Sequence, residues 1–265
     1  MSSRRAGYGL SLLFAAIGCT GSPPVRWETS RAVQAAGSAV AVTAAGEVVP
    51  DTLAVLASHL RTPASACAGS LRLARAGGRL FSAWWSPRSD STALLVSSVS
   101  NDSGRTWRRP VTVDSTDHGP IGCARTPPGI AFNVASGYVH VSYAMQAAEG
   151  PGLFCAHSMD GGITFHAPVP ILYGERLGAT SVAASGDVVV VAFEDPGSRT
   201  PRIGLALSAT MGHIFENRMM PVSDDNSAAT QPLVAVNGRQ VTVAWREWPL
   251  SSGPVVVRVR TGSIP

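Results

Sequence analysis

The chain contains no lysine: all 21 basic residues are arginine. Charge is sparse, at 14% of residues, and aromatics make up 6%. No run of five basic residues occurs, and without Arg4 and Arg5 the basic excess falls from four to two. A chain this close to neutral gives no electrostatic footprint for nucleic acid. The apolar stretch at 8–18, YGLSLLFAAIG, is too short to span a bilayer. There is no His-x-x-x-His pair, phosphate-binding loop or serine-nucleophile elbow, so no cofactor and no metal is expected. Cysteine is limited to Cys19, Cys67, Cys123 and Cys155. What the chain does have is 45% apolar residues, enough for a sizeable core. The roughly 240 residues beyond the N-terminal segment suit one all-β domain.

The N-terminus reads as a targeting segment. Arg4 and Arg5 form a positive region ahead of the apolar stretch. The stretch ends in AAIGC, which resembles a bacterial lipobox with Cys19 as the lipidated residue. Ile17 departs from the usual choice at its position, so ordinary cleavage nearby is the other reading. The expected organisation is a lipoprotein signal peptide at 1–19, a tether at 20–26 and the folded domain at 27–265. Acylation of Cys19 would hold an exported protein at a membrane of the bacterial cell envelope, stably so with more than one acyl chain.

A short motif then recurs. Residues 100–107 read SNDSGRTW, 158–165 read SMDGGITF, and 208–215 read SATMGHIF with Thr210 in the place of the acid. The spacings of 58 and 50 residues mark a repeat architecture. Each motif lies between apolar, β-branched runs, as a hairpin turn does. Asp102 and Asp160 can accept backbone N–H groups across their own turns, and Gly104 and Gly162 can take the positive φ such turns need. Ser100 and Ser158 open the turns, and Trp107 and Phe165 are expected to begin the next strand. The motif resembles the Asp-box of sialidase-like (BNR-repeat) β-propellers.

The strands before each turn repeat as well. Residues 71–84, 130–143, 181–193 and 233–245 each read strand, glycine turn, strand, closing on Ala83-Trp84, Ser142-Tyr143, Ala192-Phe193 and Ala244-Trp245. A third strand follows each, and four short strands per unit at this period make a propeller blade. The aligned aromatics are expected to pack between blades. The last unit lacks its fourth strand; WETSRAV at 27–33 resembles WRRPVTV at 107–113 and is expected to supply it, pairing with the strand at 254–260 and covering an edge. Residues 38–66 read as a worn fifth blade, with TLAVLASHL at 52–60 as its third strand and Ser58 where a motif would start. The expected fold is thus all-β: a propeller of four-stranded antiparallel blades, five in number, with four blades plus an irregular N-terminal segment as the alternative. Sialidases have six.

The topology puts the Asp-box turns on one face and the loops between second and third strands, and between blades, on the other. Loops on a repeat scaffold carry function. The ligand-binding candidates on that second face are Arg88, Asp90, His118, Arg176, Glu194, Asp195, Arg199, Arg246 and Glu247. Their arginines could clamp a carboxylate or sugar acid. The resemblance implies an arginine triad, a Tyr–Glu nucleophile pair and an Asp acid/base. The family's early Arg-Ile-Pro is missing, and Arg202-Ile203-Gly204 matches it only superficially. No complete catalytic set can be assigned. Cys67 and Cys123 both precede a first strand, one blade apart. They admit a disulfide, free thiols or, with His118, a metal, and neighbouring inner strands threaten to hold them beyond the roughly 7 Å a disulfide spans. The leading expectation is an envelope-anchored propeller that binds a glycan or partner protein without catalysis. An exo-acting glycosidase of sialidase type and a pocketless scaffold are the alternatives.

Overall fold

A computed structural model of the protein describes residues 24–34, 39–60, 66–90, 92–120, 122–249 and 254–265. Cys19, the segment expected to be a signal peptide and most of the expected tether lie outside the described residues. The chain begins with two short strands, β1 (Arg26–Trp27) and β2 (Arg31–Val33), then a hairpin of β3 (Val40–Val42) and β4 (Val48–Pro50), and a helix, α1 (Thr52–His59). Three antiparallel four-stranded sheets follow. The first holds β5 (Arg72–Ala76), β6 (Arg79–Pro87), β7 (Ala93–Ser100) and β8 (Val111–Asp114). The second holds β9 (Gly129–Phe132), β10 (Val139–Ala147), β11 (Gly150–Ser158) and β12 (Val169–Tyr173). The third holds β13 (Thr180–Ser185), β14 (Val188–Glu194), β15 (Ile203–Ser208) and β16 (Asn217–Pro221). The fourth is built from β17 (Ser227–Asn237), β18 (Gln240–Pro249) and β19 (Val256–Ser263).

The N-terminus completes the fourth sheet. Arg26 pairs with Ser263 and Trp27 with Gly262, and farther along β19 Arg31, Ala32 and Val33 pair with Val259, Arg258 and Val257. The single strand expected at 27–33 is thus two short ones, both antiparallel to β19. A strand from the start of the chain caps an edge formed at its end.

The worn fifth blade is corrected. Only the β3–β4 hairpin forms there, and residues 52–59 are helical instead of a third strand. The Asp51 carboxylate accepts from the Leu53 and Ala54 amides at 3.0 and 2.9 Å, capping the helix. Ser58 opens no Asp-box; its hydroxyl donates to the Val55 carbonyl at 2.7 Å. The arrangement is propeller-like, with four multi-stranded sheets and a hairpin–helix unit.

The inner strands β5, β9, β13 and β17 stand side by side in that order, β3 lies against β17, and α1 lies against β5. The core is a set of seams between neighbours. Phe81, Trp85, Val141 and Tyr143 join the first sheet to the second; Leu153, Val191 and Phe193 join the second to the third; Val190, Leu205, Val243 and Trp245 join the third to the fourth. Leu53, Leu56 and Leu60 of the helical segment pack on Leu71, Leu73 and Trp84. The middle strands are buried on both faces, which is why they read as continuous apolar runs such as VVVVAF. The four aligned aromatics are all buried: Trp84 at 4%, Tyr143 at 0%, Phe193 at 0% and Trp245 at 1% exposure.

Candidate functional site

The turns between third and fourth strands share one local device. Ser100 Oγ donates to Asp102 at 2.8 Å and accepts from the Gly104 amide at 2.8 Å, while Asp102 accepts from the Thr106 amide at 2.8 Å and hydroxyl at 2.6 Å. Ser158, Asp160, Gly162 and Thr164 repeat this at 2.7, 2.7, 2.9 and 2.6 Å. In the third copy Thr210 Oγ1 accepts the Ile214 amide at 3.0 Å, and Ser208 still receives the Gly212 amide at 3.0 Å. Gly104 and Gly162 have φ of 90° and 89°. A Cβ on Gly162 would also sit 2.9 Å from Val99, so that turn presses directly on the neighbouring sheet. Trp107 and Phe165 precede their strands instead of beginning them, and each packs onto a core seam.

At the opposite end of the inner strands lies a cavity of about 1030 Å³. Its wall takes residues from every unit: Arg72 and Leu73 of β5, Gly129 and Ile130 of β9, Thr180 to Val182 of β13, Gln231 to Leu233 of β17, Val40 of β3, and Ala54, Ala57 and Ser58 of α1. Trp245, Arg246 and Val257 complete the fourth-sheet side, and Thr126 to Pro128 and Leu177 to Ala179 also line the cavity. The charged lining groups are two cations, Arg72 and Arg246, and two carboxylates, Asp51 and Glu194. Arg72 Nη1 donates to the Gly69 and Leu71 carbonyls at 2.9 and 2.8 Å, fixing the guanidinium at the wall. Burial lowers its pKa below the usual arginine value, and the Asp51 carboxylate pulls it back up. Glu194 Oε1 accepts from the Gln231 amide at 2.9 Å, tying the third sheet to the fourth.

Of the nine candidate ligand residues only Glu194 and Arg246 line this cavity. Arg88 and Asp90 form an exposed ion pair at 3.3 Å, and Asp90 also caps Thr92. Asp195 caps Gly197 at 2.9 Å within its own loop. Arg176 Nη1 donates to the Arg199 carbonyl at 2.5 Å, and both residues are exposed. His118 is exposed. Glu247 is buried at 5%, accepting from Trp245 Nε1 at 3.2 Å and pairing with Arg258 at 2.8 Å. The four candidate arginines are therefore not gathered at one place: of them only Arg246 lines the cavity.

Arg72 and Asp51 were not among the candidates. The one signal is for Asp51 and is positional: it stands immediately ahead of the segment that turns helical, whereas Arg72 opens the first strand of a regular repeat.

Cys67 and Cys123 form a disulfide with a Cα–Cα distance of 5.3 Å, inside bridging range. This settles the alternatives left open for these thiols and removes the Cys67–Cys123–His118 metal arrangement. The bridge pins the 115–128 connection to the start of β5. Beside it Asp117 and Arg125 form a buried ion pair, with the Arg125 guanidinium 5.8 Å from the Trp85 ring centre. Cys155 is a buried free thiol, pushed up to about 12 by burial. Tyr143 donates its hydroxyl to Asp114 deep in the first seam. Burial first, and the Asp114 charge second, hold its pKa well above the ordinary value, the reverse of an activated nucleophile. Among the described residues no tyrosine lines the cavity.

No protein-family model matches the chain, and no curated protein does. Solved structures do. A protein of unknown function from Dyadobacter fermentans aligns over 72% of this chain and 52% of its own length, at 17% identity and a TM-score of 0.53. The endosialidase of phage phi92 aligns over 74% of this chain and 36% of its own, at 11% identity and a TM-score of 0.51. A sialidase from Trypanosoma rangeli aligns at 13% identity over 69% of this chain and 30% of its own, with a TM-score of 0.46. The chain thus spans about half or less of the length of these structures. At these identities the likenesses concern the fold.

Proposed function

We propose that the protein binds a glycan in the axial cavity. The observation that carries this reading is the lining: two arginines and two acidic residues share the wall with apolar Leu71, Leu73, Leu233 and Trp245 and with Thr126, Thr180 and Ser181. Polyhydroxy ligands need many fixed polar groups beside apolar surface for their C–H faces. Arginines add a fork that suits a sugar carboxylate. The endosialidase among the similar folds agrees with a saccharide ligand.

The reading is binding without turnover. Among the described residues the buried tyrosine–carboxylate pair, Tyr143–Asp114, lies in a core seam, away from the cavity. A glycan array identifies the ligand, and a fluorogenic sialoside tests turnover on the same sample. Arg246→Ala and Arg72→Ala should each weaken binding by about 10-fold or more, the scale of a charge-assisted hydrogen bond. Wild-type hydrolysis of the sialoside would replace the binding reading with the exo-glycosidase one. Binding unaffected by either substitution would move the ligand off this cavity.

Placement at the cell envelope belongs to the same proposal and rests on the AAIGC sequence. Cys19→Ala should move the protein from the membrane fraction to the soluble one. A wild type already soluble overturns the anchor.

A further inference from the structure

Four of the six histidines meet on the Asp-box face, at the seam between the second and third sheets. His140 is the second residue of β10, His157 stands near the end of β11, His166 follows the second motif, and His213 lies inside the third. The ring centres of His157 and His213 are 4.3 Å apart, those of His157 and His166 5.0 Å, and those of His140 and His157 6.3 Å. Tyr138 stacks on His157 at 5.9 Å. His140 is 0% and His157 2% exposed, and both ring nitrogens of each are buried without a hydrogen-bond partner.

The surroundings offer a proton no compensation. The charges that act on His140 are those of His157 and His213, and on His157 those of His213 and His166. Asp160, on the turn before His166, is held by Ser158, Ile163 and Thr164. Glu216 accepts from the Ala209 amide, and Asp187 acts on neither buried ring. Arg79, reaching over from the first sheet to the Gly161 carbonyl, is itself cationic. A buried imidazolium with only like charges around it is strongly disfavoured. Metal binding is the other use of such a group. However, among the described residues no three His, Cys, Asp or Glu side chains are placed to hold a metal ion. The near-parallel rings of His157 and His166, 13° apart, present faces instead of converging nitrogens.

We propose that this histidine cluster is an acid-sensitive latch, packing the seam between the second and third sheets while neutral and forcing it apart once protonated. Burial, reinforced by the neighbouring histidines, pushes His140 down to about 3 and His157 down to about 4. Both lie below the roughly 6.5 of a free imidazole, so the opened chain takes up protons first as pH falls. The stability the neutral rings provide is complete above about pH 6.5 and drains away below it, through the two folded values. Two such groups reduce the closed-to-open ratio by up to about 100-fold per pH unit in that window. The seam continues to the other face. Ser142 bonds Thr180 at 3.0 Å across it, and Thr180 and Ile130 are part of the cavity wall. Acid therefore loosens the axial site along with the latch.

Amide hydrogen exchange at about pH 7 and about pH 5, corrected for intrinsic rates, tests this. β10, β11 and residues 209–215 should lose about 10-fold or more protection at the lower pH, ahead of the first sheet. The double substitution His140→Phe, His157→Phe should abolish that selective loss. Should the variant not fold, imidazole NMR of the wild type decides. Rings that stay neutral in the folded protein down to about pH 5 support the latch, and rings titrating near 6.5 while it remains folded overturn it. Marked thermal stabilisation by added zinc ion at neutral pH would also overturn it, in favour of a metal site.

Discussion

Asp102 and Asp160 show how much a single carboxylate does in this fold. The Thr106 hydroxyl and amide, with Ser100, hold Asp102 down to about 2. For Asp160 slight burial works upward, but Thr164, Ser158 and Ile163 outweigh it and also bring it down to about 2. Both values lie below the unfolded carboxylate value of about 3.9, so their contribution is present above that pH and is lost as pH falls through about 2. Asp160→Ala should cost about 1 kcal/mol at neutral pH, these being solvent-screened bonds, and should flatten the urea midpoint between about pH 4 and 2. Ligand affinity of the folded fraction should not change. Loss of binding at unaltered stability would assign the acid to the site. The motif was legible in the sequence because its chemistry spans only a few residues. Arg72 and Asp51 were not. In LRLARA, Arg72 reads as the solvent-facing partner of an alternating strand, and nothing in that alternation shows that its side of β5 lines the cavity.

At the scale of elements, the strand–glycine–strand repeats could be read off directly, and the helix could not. TLAVLASHL is a short apolar run, and such a run fits a buried strand and a helix equally by periodicity. Asp51 immediately before it was the deciding signal, as an N-cap two and three residues ahead of the amides it accepts. Asp51→Ala should therefore lower stability by about 1 kcal/mol, about 2–4 °C in melting temperature for a domain of this size. It should also weaken ligand binding, since α1 forms part of the cavity wall. An unchanged melting temperature would mean the cap contributes nothing. The disulfide is the second element-scale tie. It closes a loop with a sequence separation of 56 residues, worth about 4 kcal/mol in the chain-entropy picture and typically 2–4 in practice. Cys67→Ser, Cys123→Ser should unfold at lower denaturant by that margin, whereas Cys155→Ser should leave the bridge untouched. Spacing alone could not decide the pairing, because it gives no separation between inner strands.

For the whole molecule the decisive contact is between the two ends of the described chain. Without β1 and β2, the outer edge of β19 would be an unpaired row of amides and carbonyls open to other chains. The seat of β1 is narrow. A Cβ on Gly262 would lie 2.8 Å from both Trp27 Cε3 and Val25 Cγ1, and 3.0 Å from the Arg26 carbonyl oxygen. Val25 is buried against the fourth-sheet core, Trp27 packs beside it, and Arg260 lies over the Trp27 ring at 5.6 Å. Neither side chain can retreat without uncovering apolar surface, and a backbone carbonyl cannot swing aside at all while the pairing holds. Gly262→Ala should therefore cost about 1–3 kcal/mol, the usual penalty of overpacking. The loss should appear first as hydrogen exchange at residues 25–28, then as concentration-dependent oligomers on size exclusion, as the freed edge finds partners. β2, three residues long and exposed along most of its length, is too short to hold the edge alone. A Gly262→Ala protein that stays monomeric with wild-type exchange at 25–28 would show that the N-terminal strands do not close this fold.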